Sequence, residues 1–249
     1  MMKEVLFGLF FLFIAINCDA QINKTNKDGV LLPHIDFSFQ WPTLDLAQRF
    51  GASNAIGVGL DYMTNKNWIF GGDWSLMFGN QVNEDVLSGL RGKDGNVLGN
   101  DLYFGEVSLK QRGMTASVYI GKLFPLFKSN TRSGIKVSIG TGFFQHNIKM
   151  QDDIGSLNQV LGDYKGGYDR LSRGIQINEF IGYQHLGKNR LMNFQIGMEF
   201  YQGFTKNIRA INYNTKTSET NLRNDFLYGL KASWYLPFYI GEKGEDLYY

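Results

Sequence analysis

The chain is short of several things that particular protein classes require. It has a single cysteine, Cys18, among 249 residues, which excludes an intramolecular disulfide and a cysteine-rich metal site. It has three histidines, His34, His146 and His185. None is spaced from another as metal ligands on one element are, and "PHID", "QHNI" and "QHLG" carry no neighbouring serine of the His-x-Ser kind. Metal-centred and serine-nucleophile chemistry therefore have no motif to stand on, and each histidine reads as a structural residue. The net charge is only +2, so there is no electrostatic footprint for a nucleic acid. Proline is rare at 4, and hydrophobic residues make up 43% of the chain, which excludes a disordered composition. After Gln21 no segment approaches eighteen consecutive apolar residues, which excludes a transmembrane helix.

The first residues read differently from the rest. A short head with Lys3 precedes an apolar run from Leu6 to Ile16, and Cys18 and Ala20 then stand as small residues three and one before Gln21. That is the pattern of a secretory signal peptide over residues 1–20, too short to span a bilayer. Residues 21–249 are expected to form one domain, and removal of the leader would take the only cysteine with it.

Aromatic residues are plentiful, with 20 Phe, 13 Tyr and 4 Trp, and they recur with a period of two. In "DFLYGLKASWYLPFYI", Phe226, Tyr228, Leu230, Ala232, Trp234, Leu236 and Phe238 share one face, and Asp225 and Lys231 lie on the other. "HIDFSFQW" sets Ile35, Phe37, Phe39 and Trp41 against His34, Asp36, Ser38 and Gln40. The same alternation runs through "AIGVGLDYM", "WIFGGDWSLMF", "GIKVSIGTGFFQH" and "NFQIGMEFY". This is strand periodicity. Two stretches are irregular. In the segment from Glu106 to Phe124 the apolar phase slips near Gly113, which predicts a bulge there. In "GIQINEFIGYQHL", Glu179 shares the phase of Ile175, Ile177, Ile181 and Tyr183, which requires either a bulge or a reversal of inside and outside.

About eight strands result, and their connections alternate in length. Residues 64–67, 125–132 and 186–190 are short, whereas 80–102, 147–173 and 205–221 are long, with a medium link from Trp41 to Asn54. Four longer and three shorter links, beginning and ending with the longer kind, describe an up-and-down barrel with both ends on one side. A soluble sandwich or lipocalin-like barrel is the competing architecture. The polar faces speak against it, because they hold many Gly and Ser and few Lys and Glu, as a crowded interior would. The apolar faces carry Trp, Tyr and Phe near strand ends, as an interfacial girdle does. The expected fold is an all-β, antiparallel, up-and-down transmembrane β-barrel of eight strands. Ten is the alternative, if Glu106–Phe124 is a hairpin pair and another strand is hidden in a loop.

At this level of pattern the whole mature chain resembles the small eight-stranded outer-membrane barrels, of which the OmpA transmembrane domain and OmpX are familiar members. A leader ending before Gln and a Phe- and Leu-rich apolar run also resemble proteins of Bacteroidota. The resemblance implies a Gram-negative outer-membrane location, extracellular long loops, periplasmic termini and lipid as the surrounding partner. One departure stands out: such barrels close on a terminal aromatic, whereas here "GEKGEDLYY" follows the last strand.

The face assigned to the lumen is ionic. It contains Asp36, Asp61, Asp73, Glu106, Glu199 and Asp225, with Lys110, Arg112, Lys136, Arg223 and Lys231. An eight-stranded lumen is filled by side chains, and buried charge must be paired, so a charge network that plugs the barrel is expected, with a gated ion path as the alternative. Asp152, Asp153, Asp163 and Asp169 lack calcium-loop spacing and leave room only for a weak surface cation site. The Gly-rich "GASNAIGVG" and "GTGFF" are strand glycines rather than nucleotide loops. No cofactor and no catalytic residue is expected. The function expected is non-enzymatic, structural or interactive, with membership of a surface or secretion assembly and hence a protein partner. A narrow solute channel and a lipid-modifying enzyme stand as alternatives.

Overall fold

The computed structural model describes residues 29–99, 104–105, 107–152, 157, 162–187 and 192–240. The leader, Glu106, Asp153 and the tail from residue 241 lie outside the described residues.

Eight long strands follow in chain order: β1 Gly29–Thr43, β2 Ser53–Met63, β3 Trp68–Gly79, β4 Val107–Phe127, β5 Asn130–Asp152, β6 Ser172–Leu186, β7 Asn193–Asn207 and β8 Leu222–Tyr235. Each pairs antiparallel with its sequence neighbour, and β8 pairs with β1 from His34–Tyr235 to Thr43–Phe226, which closes the ring. A three-residue extension, Phe238–Ile240, continues along β1. Residues 107–124 therefore belong to one strand and do not form a hairpin, and the barrel has eight strands.

Register sets the shape. Following directly paired residues from Trp41 through Tyr228, Phe200, Glu179, Ile139, Ile120, Phe70 and Tyr62 returns to β1 at Leu31, ten residues from the start. A stagger of that size tilts the strands about 40° to the barrel axis. At about 3.3 Å rise per residue, the outer face of β1 from Leu31 to Trp41 then spans about 25 Å along the axis.

The alternation follows the pleat. Ile35, Val58, Val118, Ile175 and Ile196 are more than half exposed on the outside, while Asp61, Gln111, Lys136, Gln184 and Thr205 are buried inside. Both irregular stretches turn out to be regular. β4 and β5 pair without a shift from Val107–Asp152 to Pro125–Gly134, and the only register change lies between Pro125 and Phe127. There is no bulge at Gly113. Val107 and Leu109 consequently share the inner phase of Gln111 and pack against an internal apolar cluster, and Lys110 and Arg112 take the outer phase of Met114 and Val118. β6 likewise pairs in unbroken register with both neighbours, so Glu179 lies on the outer face, exposed between Ile177 and Ile181.

The short links lie at one end. Thr64–Asn67 turns tightly, with Asn67 at φ +61 and its backbone N–H donating to the Thr64 carbonyl at 3.0 Å; asparagine tolerates that left-handed conformation. The long links lie at the other end. One contains the helix α1, Leu44–Arg49, and two carry short turns at Ser88–Leu90 and Gly162–Gly167.

Candidate functional site: the lumen and its outer cap

The lumen is stacked in layers. At the short-turn end, Val30, Leu32, Met63, Ile69, Leu123, Leu186 and Tyr235 form an apolar cluster. At the loop end a second cluster includes Leu46 and Phe50 from α1 and its link, Val86 and Leu87 from the next loop, and Phe144, Ile148 and Leu227 from the wall. Between them lies an ionic layer supplied by alternate, inward-facing residues of several strands.

Two lysines organise that layer. Lys136 of β5 reaches across to β2 and donates to Asp61 Oδ2 at 2.7 Å and to the Tyr235 hydroxyl at 3.2 Å. Asp61 also accepts from the Tyr119 hydroxyl at 2.6 Å, and His34 Nε2 stands 3.9 Å away. Lys231 of β8 lies between two carboxylates: it donates to Asp73 Oδ2 at 2.9 Å and pairs by charge with Asp36 Oδ2, also at 2.9 Å. His34 Nδ1 lies 2.8 Å from Asp36 Oδ1. All of these side chains are buried except that of Tyr119, which is half-buried. The paired charges offset a desolvation cost that would be several kcal/mol for each ion alone.

Glu199 departs from that scheme. It is buried, and its carboxylate accepts from neutral groups, Gln40 Nε2 at 2.7 Å and the Tyr201 hydroxyl at 3.1 Å. Asp225 forms a separate group nearer the loops, held by His146 Nε2 at 2.9 Å, by the Thr205 hydroxyl, and by Arg223 Nε at 3.5 Å. The structure thus brings Asp36, Asp61, Asp73, Lys136 and Lys231 into one layer, sets Asp225 with Arg223 in another, and leaves Lys110 and Arg112 on the outer surface. Glu106 lies outside the described residues. A cavity of about 20 Å³ remains among Asp73, Lys136, Asn178, Glu199 and Lys231, which is room for a water and not for a solute.

The histidines stay apart. His146 packs edge-on against Phe50, and the neighbouring Thr205 hydroxyl donates to Asp225 rather than to the imidazole, so a nucleophile–base pair is not formed there. His185 lies near the β6–β7 turn, 3.3 Å from the Ser133 hydroxyl. Of the loop aspartates, Asp152 accepts from the Leu157 backbone N–H at 2.8 Å, and Asp169 is taken by Arg209 Nε at 3.0 Å. Among the described residues no group of metal-ligating side chains forms.

Strand reasoning missed the outer cap, because all of its charged residues but Arg223 sit in the links. Arg49, at the end of α1, is 1% exposed. Its Nε meets Glu84 at 2.7 Å, its Nη2 meets Glu219 at 3.4 Å, and its Nη1 donates to Ser172 Oγ at 3.0 Å. Arg170 Nε binds the other oxygen of Glu84 at 2.6 Å, and Arg223 reaches Glu219 at 3.3 Å and the Asp45 carbonyl at 2.6 Å. All four long links are joined through these five side chains. Burial alone would raise the Glu84 carboxyl, but Arg49 and Arg170 more than reverse it and hold it below its ordinary value. Glu219 is lowered in the same way, its burial outweighed by Arg49, Asn207 and Arg223.

The outside is the inverse of the lumen. A girdle of Tyr62, Trp68, Phe124, Phe194 and Trp234 rings the turn end, with Lys122 4.8 Å over the Trp68 ring. Trp41 stacks on Tyr228 at 5.7 Å towards the loop end. Aliphatic residues fill the band between. A closed antiparallel barrel with an apolar outer band about 25 Å tall, aromatic rims and an ionic interior is a transmembrane β-barrel.

No family model matches the chain, and no curated protein does. Among solved structures it is similar to Ail, the attachment invasion locus protein of Yersinia pestis, at 10% identity and a TM-score of 0.43 over 85% of this chain and 99% of that one. It is similar to the outer membrane protein OprG from Pseudomonas aeruginosa at 14% identity and a TM-score of 0.37, over 87% and 99% of the two chains. The N-terminal β-barrel domain of Pseudomonas aeruginosa OprF gives 9% identity and a TM-score of 0.36 over 84% and 98%. None of these scores reaches 0.5, and the class assigned above stands on this chain's own closure, girdle and lumen.

Proposed function

We propose that the mature chain, released from a signal peptide over residues 1–20, is an integral outer-membrane protein with a closed lumen, no enzymatic activity, and a structural or interactive role exerted through its loop end. The loops would face the outside of the cell and the termini the periplasm. The observation that carries this reading is the layering of the lumen: an ionic layer lies between two apolar clusters, and the cavity beside its two lysines holds about 20 Å³. Hydrated ions cannot pass dry apolar layers without losing their water, a cost of many kcal/mol. The stitched cap supports the same reading, because four links held by buried arginines present a defined surface rather than a gate. Such a surface suits a place in a surface or secretion assembly.

Planar-bilayer recording on the purified, refolded protein tests this. Silent membranes are expected. Reproducible single-channel steps whose ion selectivity changes on Lys136→Met would show that the ionic layer is a wetted path, and the narrow-channel reading would replace the plug.

A further inference from the structure

Glu179 occupies a position where lipid gives a carboxylate nothing to bind. On the outer face of β6 the sequence of side chains is Arg173, Ile175, Ile177, Glu179, Ile181, Tyr183, His185. Glu179 is the central one, six residues from either end, which places it about 15 Å in height from both Arg173 and His185 at a 40° tilt. Its directly paired neighbours are Ile139 on β5 and Phe200 on β7. It is exposed, and it makes no hydrogen bond or ion pair among the described residues. Among the described strand residues the other outward-facing charges, Lys110, Arg112, Lys122, Lys149, Arg173 and Lys206, lie at or beyond the rims of the apolar band. An ionisable side chain at mid-bilayer depth is unfavourable in lipid and is tolerated where a partner meets it.

We propose that the outer surface around Glu179 is an intramembrane docking face, and that its occupant is a different membrane protein presenting a lysine or arginine at the same depth. This rests on the membrane-spanning reading above. Charge complementarity chooses the occupant. A second copy of this chain has no lipid-facing cation at that height among the described residues, and a two-fold axis along the membrane normal would set one Glu179 against the other. Ile139, Ile177, Ile181 and Met198 around the carboxylate form an aliphatic patch against which a second wall or helix can pack. An ion pair enclosed by that patch would be shielded from water and so far stronger than a rim contact.

The test uses the full-length protein in intact cells. A photo-crosslinking amino acid is placed at Ile177 or Ile181, beside Glu179, and at Val58 on the opposite wall. One discrete adduct is expected from the first two positions and none from Val58, with the crosslinked peptide mapping to a membrane-spanning segment that contains a basic residue. Glu179→Ile should cut the adduct about tenfold or more, the loss expected when one charge pair leaves an interface, while the unfolding midpoint of the purified variant stays level or rises. Glu179→Lys should regain the adduct when the partner's basic residue is changed to glutamate. An adduct with a second copy, an adduct without a basic residue near the crosslink, an unchanged yield in Glu179→Ile, or no adduct at all overturns the proposal. Membrane residence is read separately from Ile177→Cys and a water-soluble maleimide. Rapid labelling there would refute the spanning reading itself, whereas shielding with a negative crosslink refutes only the docking face.

Discussion

Replacing Lys136 with methionine isolates the cost of an unpaired charge in the lumen. The methionine keeps most of the volume, so packing loss stays small. The lost contacts are the 2.7 Å bond to Asp61 and the 3.2 Å bond to the Tyr235 hydroxyl. Asp61 is fully buried, and breaking a buried pair by removing one partner costs about 3–5 kcal/mol, most of it the penalty on the ion left behind. Asp61 retains the Tyr119 hydroxyl at 2.6 Å and His34 at 3.9 Å, which places the expected loss near the lower end, about 3 kcal/mol. The assay is reversible urea unfolding in lipid vesicles, followed by tryptophan fluorescence. Lys136→Met should shift the midpoint clearly below that of the loop control Lys165→Ala. Adding Asp61→Asn should recover a large part of the loss, because the residue left behind is neutral and can still accept from Tyr119. A single-variant loss under about 1 kcal/mol, or a double variant no better than the single, would mean that water already solvates these groups, and the sealed-lumen reasoning would be wrong.

Leu230→Arg, on the lipid side at mid-height, should cost about 2–4 kcal/mol in the same assay, and Trp234→Arg at the girdle should cost less; equal losses would refute the assigned depth. Protease added to whole cells should cut within 80–102 or 153–171 and spare 64–67 and 187–192, and cutting at the short turns instead would invert the topology. The cap should loosen in acid. Glu84 and Glu219 are held below their ordinary values, so the stability they confer is fully present above the ordinary carboxylate range near 4.3 and is lost as pH falls through their folded-state values. Loop proteolysis by an acid-active protease should therefore accelerate below about pH 4, and Arg49→Met should speed cleavage at neutral pH and weaken that pH dependence, since Glu84 keeps only Arg170 and Glu219 only Arg223 as its arginine partner. Loop cleavage that stays flat across this range in the wild-type protein would show that the arginine–glutamate cap does not hold the loops.

Much of this protein is local and so was legible in the chain itself. A period of two needs no partner strand to be read, and it told which side chains of β1, β3 and β8 face out and which face in. The alternation of link lengths decided an even strand number and both ends on one side. The reading erred where it let a change of apolar character stand for a change of phase. Val107 and Leu109 are apolar because they pack inside under the loops, not because the strand bulges at Gly113, and only the unbroken pairing of β4 with β5 shows that Lys110 and Arg112 point out. Glu179 was left undecided for the same reason: one strand's pattern cannot tell an inward glutamate after a bulge from an outward one in register. The lumen pairs were beyond local reading altogether. Lys136 meets Asp61, and Lys231 meets Asp73, because a ten-residue stagger brings those depths level across the barrel, and Lys231 meets Asp36 because ring closure pairs β8 with β1; both are properties of eight strands closed together. Arg49 was invisible to strand periodicity because it lies in a link, and its role exists only where four links converge. The local alternation set the two faces of each strand; the closure of the ring decided which charges would meet.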